Sequence, residues 1–226
     1  MILKIIASLS LLPAPSLAQT PADLATVQQR LESGFLASIP ATTTVEGSQS
    51  TLLADGTWFD IPYTSITQTN WAPLTHLDRL GLMCRAWSHP SGSLHQDPAL
   101  LADILKAYDA WISKNPQSSN WWYNQIAVPQ ELGESMVLLK EQLSPARLSS
   151  GLAILQRAYV ARSTNSGTNT GQNRVDRAIA GIQRGIVAGS TAITQDAFLA
   201  IADTILVTTA EGIQRDGSFH QHGAQL

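Results

Sequence analysis

Apolar residues recur along this chain at steps of three and four, over stretches too long for β-strands, which is typical of amphipathic helices. No alternation of apolar and polar residues rivals these stretches in length. The pattern predicts seven helices, at about Pro21–Ser38, Leu74–Ser88, Pro98–Trp111, Pro129–Leu139, Pro145–Tyr159, Asn173–Ile186 and Thr194–Gly212. The sequence therefore predicts an all-α fold.

Two of these helices carry clear start signals. Asp97-Pro98 and Ser144-Pro145 each combine a side chain that can cap free amides with a proline suited to the first turn. In the helix that starts near Asn173, the apolar residues Val175, Ile179, Ile182 and Ile186 follow steps of four, three and four, which predicts a core-facing stripe. The last helix uses Phe198, Ile201 and Ile205, and Gly212 is expected to form its left-handed cap.

The long connections are expected to meet at one end of the fold, because helices joined by short links usually pack antiparallel. This argument fails if a further helix lies between Ile39 and Ala72. The end would gather unusual residues from four segments: Trp58, Asp60, Tyr63 and Trp71 from the first, 120–124 from the second, 168–173 from the third and 216–222 from the fourth.

Composition restricts the class of protein. Only 14% of the residues are charged, 44% are hydrophobic and the formal net charge is -3, which argues against a general nucleic-acid binder. Residues 1–18 combine one lysine, a short apolar run and Ser16-Leu17-Ala18, which is typical of a signal peptide. The mature chain is expected to be 19–226, secreted or periplasmic, with no membrane span and with Cys84 as a buried, unpaired hydrophobe.

Positive charge is concentrated late in the chain. Between Glu141 and Ile186 there are six arginines and two acidic residues, a local balance of 6 - 2 = +4. This balance could steer an anionic ligand towards the segment.

Several polar and aromatic residues are candidates for ligand binding. Adjacent Trp121 and Trp122 cannot both enter one core easily, so one of them could stack on a sugar ring. Asn173 could cap its helix, and beside Arg174 and Arg177 it could also bind a carboxylate.

The histidines near the end of the chain suit proton transfer better than metal binding. His220 and His222 are two residues apart, with no third ligand nearby, so neither a metal nor a cofactor is predicted. A Ser-His-Asp hydrolase is disfavoured because no nucleophile-elbow motif occurs.

Three ordered motifs resemble polysaccharide lyase family 8, which comprises the hyaluronate, chondroitin AC and xanthan lyases. They are Asn120-Trp121-Trp122-Tyr123-Asn124-Gln125, Thr170-Gly171-Gln172-Asn173-Arg174-Val175 and Asp216-Gly217-Ser218-Phe219-His220-Gln221-His222-Gly223. The resemblance implies an incomplete (α/α) toroid of antiparallel helix pairs, followed in full-length members by β-sandwich domains. It also implies cleavage next to a uronic acid by β-elimination.

The resemblance assigns a role to each matching residue. Asn173 is expected to neutralise the uronate carboxylate and His222 to take part in proton transfer, while Asn120, Trp121 and Trp122 align the polysaccharide. Arg174 is a further candidate for substrate binding. Gln125 stands where many relatives are expected to carry an acidic residue.

The sequence departs from the family after His222. Relatives place a catalytic tyrosine about one loop segment further on, and here only Gly223-Ala224-Gln225-Leu226 follow. The expectation is a partial lyase domain, monomeric, with an acidic polysaccharide as its partner and little activity alone. A non-catalytic module that binds polyanionic glycans, and another toroid enzyme such as a glycoside hydrolase, remain alternatives.

Overall fold

The computed structural model describes residues 20–164, 170–205, 207, 209 and 212–220. Within these ranges the α-helices are α1 (Pro21–Phe35), α2 (Thr42–Ser50), α3 (Leu74–Ser88), α4 (Pro98–Lys114), α5 (Val128–Leu138), α6 (Pro145–Leu155), α7 (Gly171–Val187) and α8 (Thr191–Ala202). A π-helical segment, Tyr123–Ala127, leads into α5, and 3-10 turns occur at Lys140–Gln142 and Arg162–Thr164. Two short strands, β1 (Gly212–Ile213) and β2 (Phe219–His220), pair antiparallel.

The all-α prediction is confirmed, and its start signals act as expected. The predicted and observed bounds of α3 coincide. The Asp97 carboxylate accepts a hydrogen bond from the Leu100 amide at 2.7 Å, and the Ser144 hydroxyl accepts one from the Arg147 amide. No helix in the described part of the chain is long and apolar enough to cross a membrane.

Two features of the helix pattern were predicted wrongly. Helix α2 was missed because Val45 is its one buried residue, so it has no apolar stripe to detect. The last helix ends at Ala202, and Gly212 lies in β1 instead of capping a helix.

The apolar residues of the last predicted helix do not share one buried face. Ile201 is half-buried against the core, Phe198 and Ile205 are exposed, and Thr194 and Ala197 are buried. The reason is the close approach of α7, where a Cβ atom at Gly185 would lie 2.1 Å from the Thr194 hydroxyl. Small residues allow this approach, and they turn the large residues of α8 outwards.

Helices α3 to α8 form two layers. Helices α3, α5 and α7 lie side by side and run parallel. The Trp71 amide donates to the Tyr123 hydroxyl at the start of α3, and Arg85 pairs with Glu134 near its end. The Gln130 side chain likewise donates to the Asp176 carbonyl near the start of α7.

The second layer consists of α4, α6 and α8, each packed antiparallel against its partner in the first layer. For α3 and α4, residue 76 meets residue 107 and residue 87 meets residue 96. For α7 and α8, Gly181 meets Ala197 and Gly185 meets Thr194. This arc of antiparallel helix pairs is consistent with an incomplete (α/α) toroid.

A buried histidine joins the segment before α3 to α4. The Nε2 atom of His76 lies 2.9 Å from the Ala107 carbonyl, so Nε2 carries the proton, and Nδ1 accepts from the Tyr63 hydroxyl at 2.8 Å. The Trp58 amide in turn donates to the Tyr63 oxygen. Burial lowers the pKa of His76 to about 4, because the charged ring would lose its hydration.

This lowered pKa predicts acid sensitivity. Above pH 6.5 His76 is neutral in both the folded and the unfolded chain. Below pH 6.5 the unfolded chain binds a proton at this histidine, whereas in the folded chain His76 stays neutral down to about pH 4. The free energy of unfolding should therefore fall by up to about 3 kcal/mol as the pH drops from 6.5 through 4. Urea titrations at several pH values measure this change.

His76→Gln provides the control for the acid sensitivity. The variant should be less stable than the wild type at pH 7, because it cannot keep both hydrogen bonds in the same geometry. It should lose less further stability between pH 6.5 and 4, since the amide has no proton to gain. A wild-type slope that persists unchanged in this variant would contradict the assignment.

Candidate functional site

Trp121 and Trp122 lie at the same end of the fold as the starts of α3 and α7. The π-helical segment that follows them packs against α7, and α3, α5 and α7 run parallel. The presence of α2 overturns the argument that placed the loops by counting alternating helices. Contacts between segments nevertheless bring 65–71, 118–124 and the start of α7 to this end.

Both tryptophans are in a helical turn, not in the polar loop that was expected. Pro129 lacks the N–H that would bond to the Gln125 carbonyl, and its ring would crowd that carbonyl in an α-helix. The backbone widens there instead, and the Val128 amide donates to the Tyr123 carbonyl, five residues back.

The wide turn determines where the aromatic side chains point. In an unbroken α-helix Trp121 would lie on the face of buried Leu132, since the interval makes about three turns. The extra residue of the π turn rotates the preceding segment by about 100°. Trp121 is 43% exposed and Trp122 is 39% exposed, so both present aromatic surface to solvent.

Asn120 holds the start of this helical turn. Its side-chain oxygen accepts a hydrogen bond from the Trp122 amide at 3.0 Å, and its side-chain nitrogen donates to the Gln68 carbonyl at 3.1 Å. The first of these bonds is that of an N-cap. The predicted substrate-binding residue therefore also fixes the backbone of the two tryptophans.

The Ser118 hydroxyl links Asn120 to the segment around Thr67. The Ser118 hydroxyl donates to the Thr67 carbonyl at 2.7 Å and accepts from the Asn120 amide at 3.0 Å. Asn124 exchanges two further hydrogen bonds with the Ser118 backbone. Sequence reasoning missed Ser118 and its partner segment, although both lie in runs of hydroxyl and amide residues.

The aromatic residues of the first long connection, between α1 and α3, pack into the core or form hydrogen bonds within the fold. The indole nitrogen of Trp58 donates to the Ser48 carbonyl and that of Trp71 to the Ser65 carbonyl, and both rings are buried. Tyr63 bonds to His76, as described above. These rings shape the fold beneath the site and offer little surface to a ligand.

Asn173 is the third residue of α7, and Thr170 takes the capping position that Asn173 was expected to take. The Asn173 side chain is half-buried and has no hydrogen-bond partner among the residues that the structure describes. Because Asn173 is in the first turn of α7, its amide group lies where the helix dipole and the free N–H groups favour an anion.

Arg174 is paired within the protein. Its guanidinium contacts the carboxylate of Asp203, which also accepts two hydrogen bonds from Arg162 at 2.7 Å. These bonds lower the pKa of Asp203. Arg174 Nε is buried and has no hydrogen-bond partner within the described ranges. Because the guanidinium is already paired with Asp203, an anionic ligand would have to share its positive charge with that carboxylate.

The other arginines of the basic segment largely serve the fold. Arg177 and Arg184 donate to the carbonyls of Ala158 and Tyr159, just beyond the end of α6. Arg147 pairs with Asp109. Burial lowers the pKa of Arg157 and Arg177. The local excess of positive charge is therefore smaller at the surface than the sequence suggested.

Asp60 and Asp216, the two carboxylates that the sequence predicted for this end, do not have the pKa shifts of a hydrolase pair. Hydrogen bonds from Arg79 lower the pKa of Asp60, and those from Ser218 lower the pKa of Asp216. A glycosidase acid needs a raised pKa. Burial raises the pKa of Glu131, in the first turn of α5, and of Asp78, the fifth residue of α3; neither was singled out from the sequence.

Further predicted site residues lie at the end of the chain. His220 is in β2, and the Asp216 carboxylate accepts hydrogen bonds from Ser218 in the turn before it. His222 lies outside the described residues. Among the residues described, no three His, Cys, Asp or Glu side chains are grouped to hold a metal ion.

The model of the polysaccharide lyase family 8 N-terminal alpha-helical domain matches residues 17–226. Chondroitinase-AC of Pedobacter heparinus is 32% identical over 182 residues, which are 80% of this chain and 26% of that protein. Xanthan lyase of Bacillus sp. is 30% identical over 155 residues, which are 64% of this chain and 16% of that protein.

Solved structures agree with these relatives. A chondroitinase AC lyase studied in complex with oligosaccharides superposes with a TM-score of 0.77 and 29% identity, over 90% of this chain and 30% of that one. The Streptomyces coelicolor chondroitin AC lyase with chondroitin sulphate gives 0.72 and 26%, over 89% and 30%. The chain thus spans less than a third of the length of these relatives.

The buried hydroxyl of Ser118 generates a stability prediction. Ser118→Ala leaves the Thr67 carbonyl and the Asn120 amide without their partner, and should lower the free energy of unfolding by about 1–3 kcal/mol. Ser119→Ala is the matched control: its hydroxyl is exposed, and its backbone amide keeps the bond to the Ile66 carbonyl. Equal losses in urea unfolding would contradict this account.

Proposed function

The chain belongs to polysaccharide lyase family 8, and from that membership we propose that it binds and cleaves a uronic-acid-containing polysaccharide of the chondroitin, hyaluronate or xanthan type by β-elimination. The observation that carries the proposal is the placement of exposed Trp121 and Trp122 at the same end as the side chain of Asn173. Flat aromatic faces suit sugar rings, and an amide at a helix start suits a carboxylate.

The reaction begins with a weakly acidic proton. Removing the C5 proton of a uronate leaves electrons that must delocalise into a carboxylate already carrying a negative charge. A hydrogen bond from the Asn173 amide, together with the start of α7, would stabilise the added charge on that carboxylate. Arg174 would contribute positive charge nearby, shared with Asp203.

Two proton transfers complete the elimination. A base takes the C5 proton, the electron pair forms the C4–C5 double bond, and the C4–O bond breaks as an acid protonates the departing oxygen. We assign His222 to proton transfer. Asn120, Trp121 and Trp122 would align the chain of sugars, Asn120 chiefly by holding the two tryptophans.

The four tyrosine hydroxyls of this chain make hydrogen bonds within the fold. The hydroxyl of Tyr63 bonds to His76, that of Tyr108 donates to the Arg147 carbonyl, and that of Tyr159 donates to Asp196. The Tyr123 hydroxyl accepts from the Trp71 amide. Because three of the four hydroxyls already donate their protons within the fold, a module that binds acidic glycans without cleaving them is the second candidate function.

Export is proposed from the sequence. Residues 1–18 have the features of a signal peptide, and an acidic polysaccharide is an extracellular or periplasmic substrate. We propose a secreted or periplasmic monomer that acts without nucleic acid, a membrane or a cofactor.

Glycan binding is tested at the aromatic pair. Trp121→Ala should weaken binding of chondroitin oligosaccharides about tenfold or more, because a stacking face is lost. Calorimetry measures the affinity. Phe198→Ala is a suitable control, since Phe198 has similar exposure, 38%, on α8. Equal binding by the wild type and both variants would refute the site.

Catalysis is tested with the 226-residue chain alone. Turnover of hyaluronate, chondroitin or lyase-treated xanthan should be at least about a hundredfold below that of a chondroitin AC lyase assayed beside it, the effect of one absent proton-transfer group, because the 226 residues span less than a third of that lyase's length. Ultraviolet absorbance of the unsaturated uronate measures the product. Robust turnover that disappears in His222→Ala would show that the chain is sufficient for catalysis.

A further inference from the structure

The end of α8 lies beside the start of α7, because the two helices pack antiparallel. Asp203, at the C-cap of α8, contacts Arg174, the fourth residue of α7. A carboxylate at the end of a helix opposes the helix dipole, so the position of Asp203 is unfavourable unless neighbouring cations neutralise its charge. The negative charge of Asp203 therefore adjoins the segment where an acidic ligand is expected to bind.

Two arginines share the carboxylate of Asp203. The Nη2 and Nε atoms of Arg162 donate to its two oxygens, each at 2.7 Å. Arg174 contacts the same oxygen as Nε of Arg162, so neither arginine holds the carboxylate alone. The hydrogen bonds from Arg162 lower the pKa of Asp203, which is therefore ionised at neutral pH. Two guanidinium groups and one carboxylate leave this cluster with a single positive charge.

Arg162 is anchored independently of Arg174. Its backbone amide donates to the Asp196 carboxylate at 2.6 Å, and the Tyr159 hydroxyl donates to the same oxygen at 2.7 Å. The Arg162 side chain is 44% exposed, whereas that of Arg174 is 19% exposed. Water and salt therefore screen the charge of Arg174 less than that of Arg162. A change in the charge of Asp203 should act mainly through Arg174.

A ligand carboxylate and Asp203 would compete for Arg174. The Nε atom of Arg174 is buried and has no hydrogen-bond partner in the described part of the chain, so the guanidinium keeps an unused donor. A guanidinium offers several N–H groups and can contact two carboxylates at once. The two negative charges would nevertheless repel each other across it. The charge that remains on Asp203 therefore determines how much of the attraction of Arg174 is available to a ligand.

We propose that Asp203 is a positioning residue that acts through Arg174 and limits the affinity of the site for an acidic ligand. Arg162 reduces this limit, because it neutralises part of the charge of Asp203. The assignment rests on the proposed function, since it concerns the regulation of binding at the same site. It requires opposite effects from the loss of Asp203 and the loss of Arg162, although both changes break the same ion pair.

Calorimetry with the whole chain and unsulfated chondroitin oligosaccharides of one length tests the two effects. Asp203→Asn should strengthen binding about two- to fivefold at low salt, because Arg174 no longer shares its charge, and the gain should shrink as salt is added. Arg162→Gln should weaken binding by a similar factor, because the full charge of Asp203 then acts on Arg174. Arg162→Lys should recover most of that loss, since it restores the positive charge.

A purely structural role would give a different result. Both substitutions remove the same ion pair and should lower the melting temperature, so disorder at this end of the fold would weaken binding in both. Asp109→Asn is the matched control: Asp109 also accepts two hydrogen bonds from one arginine, Arg147, and its loss changes the net charge equally. This control should bind as the wild type does. Equal strengthening by Asp109→Asn, or weaker binding by Asp203→Asn, would overturn the role of Asp203.

The Arg174→Gln chain shows whether Asp203 acts through Arg174. In that background Asp203→Asn should lose most of its gain, and an undiminished gain would overturn the assignment. If Trp121→Ala weakens binding and Asp203→Asn does not strengthen it, the glycan site stands and the role of Asp203 is wrong. If the wild type does not bind the oligosaccharide, or Trp121→Ala binds equally well, the proposed function fails and this inference fails with it. Melting temperatures verify that each variant is folded.

Discussion

The parallel alignment of α3, α5 and α7 is the constraint on which the site depends. Each of these helices is followed by an antiparallel partner, so successive inner helices begin at the same end. Dipoles that point the same way place three positive helix ends together. The helix dipoles favour an acidic ligand there. They do so even though several of the surrounding arginines are paired with carboxylates or hydrogen-bonded to the carbonyls beyond α6.

Close packing and local backbone geometry then decide which side chains remain available. Glycines on α7 let α8 approach, which turns Phe198 outwards. The π turn before α5 rotates Trp121 off the line of Leu132. In both places an apolar residue that helical periodicity assigns to the core is exposed, but only the second lies where three helices begin.

The candidate site joins two surfaces with different physical properties. Hydrogen bonds between 66–68 and 118–120 fix the segment that carries the exposed Trp121 and Trp122, and the start of α7 places Asn173 and Arg174 where the helix dipole favours an anion. Binding at the first surface would depend on apolar contact, and binding at the second would depend on charge.

The sequence by itself determined the helical class, the start residues of α4 and α6, and the three motifs that indicate the family, because caps and apolar periodicity are local properties of the chain. It could not reveal α2, which has no apolar stripe, nor the outward face of α8. The pairing of Arg174 with Asp203 and the bonds from Ser118 to Thr67 link residues far apart in sequence. Tertiary structure alone decided which motif residues stay free for a ligand, because hydrogen bonds and ion pairs between distant segments form only once the helices have packed.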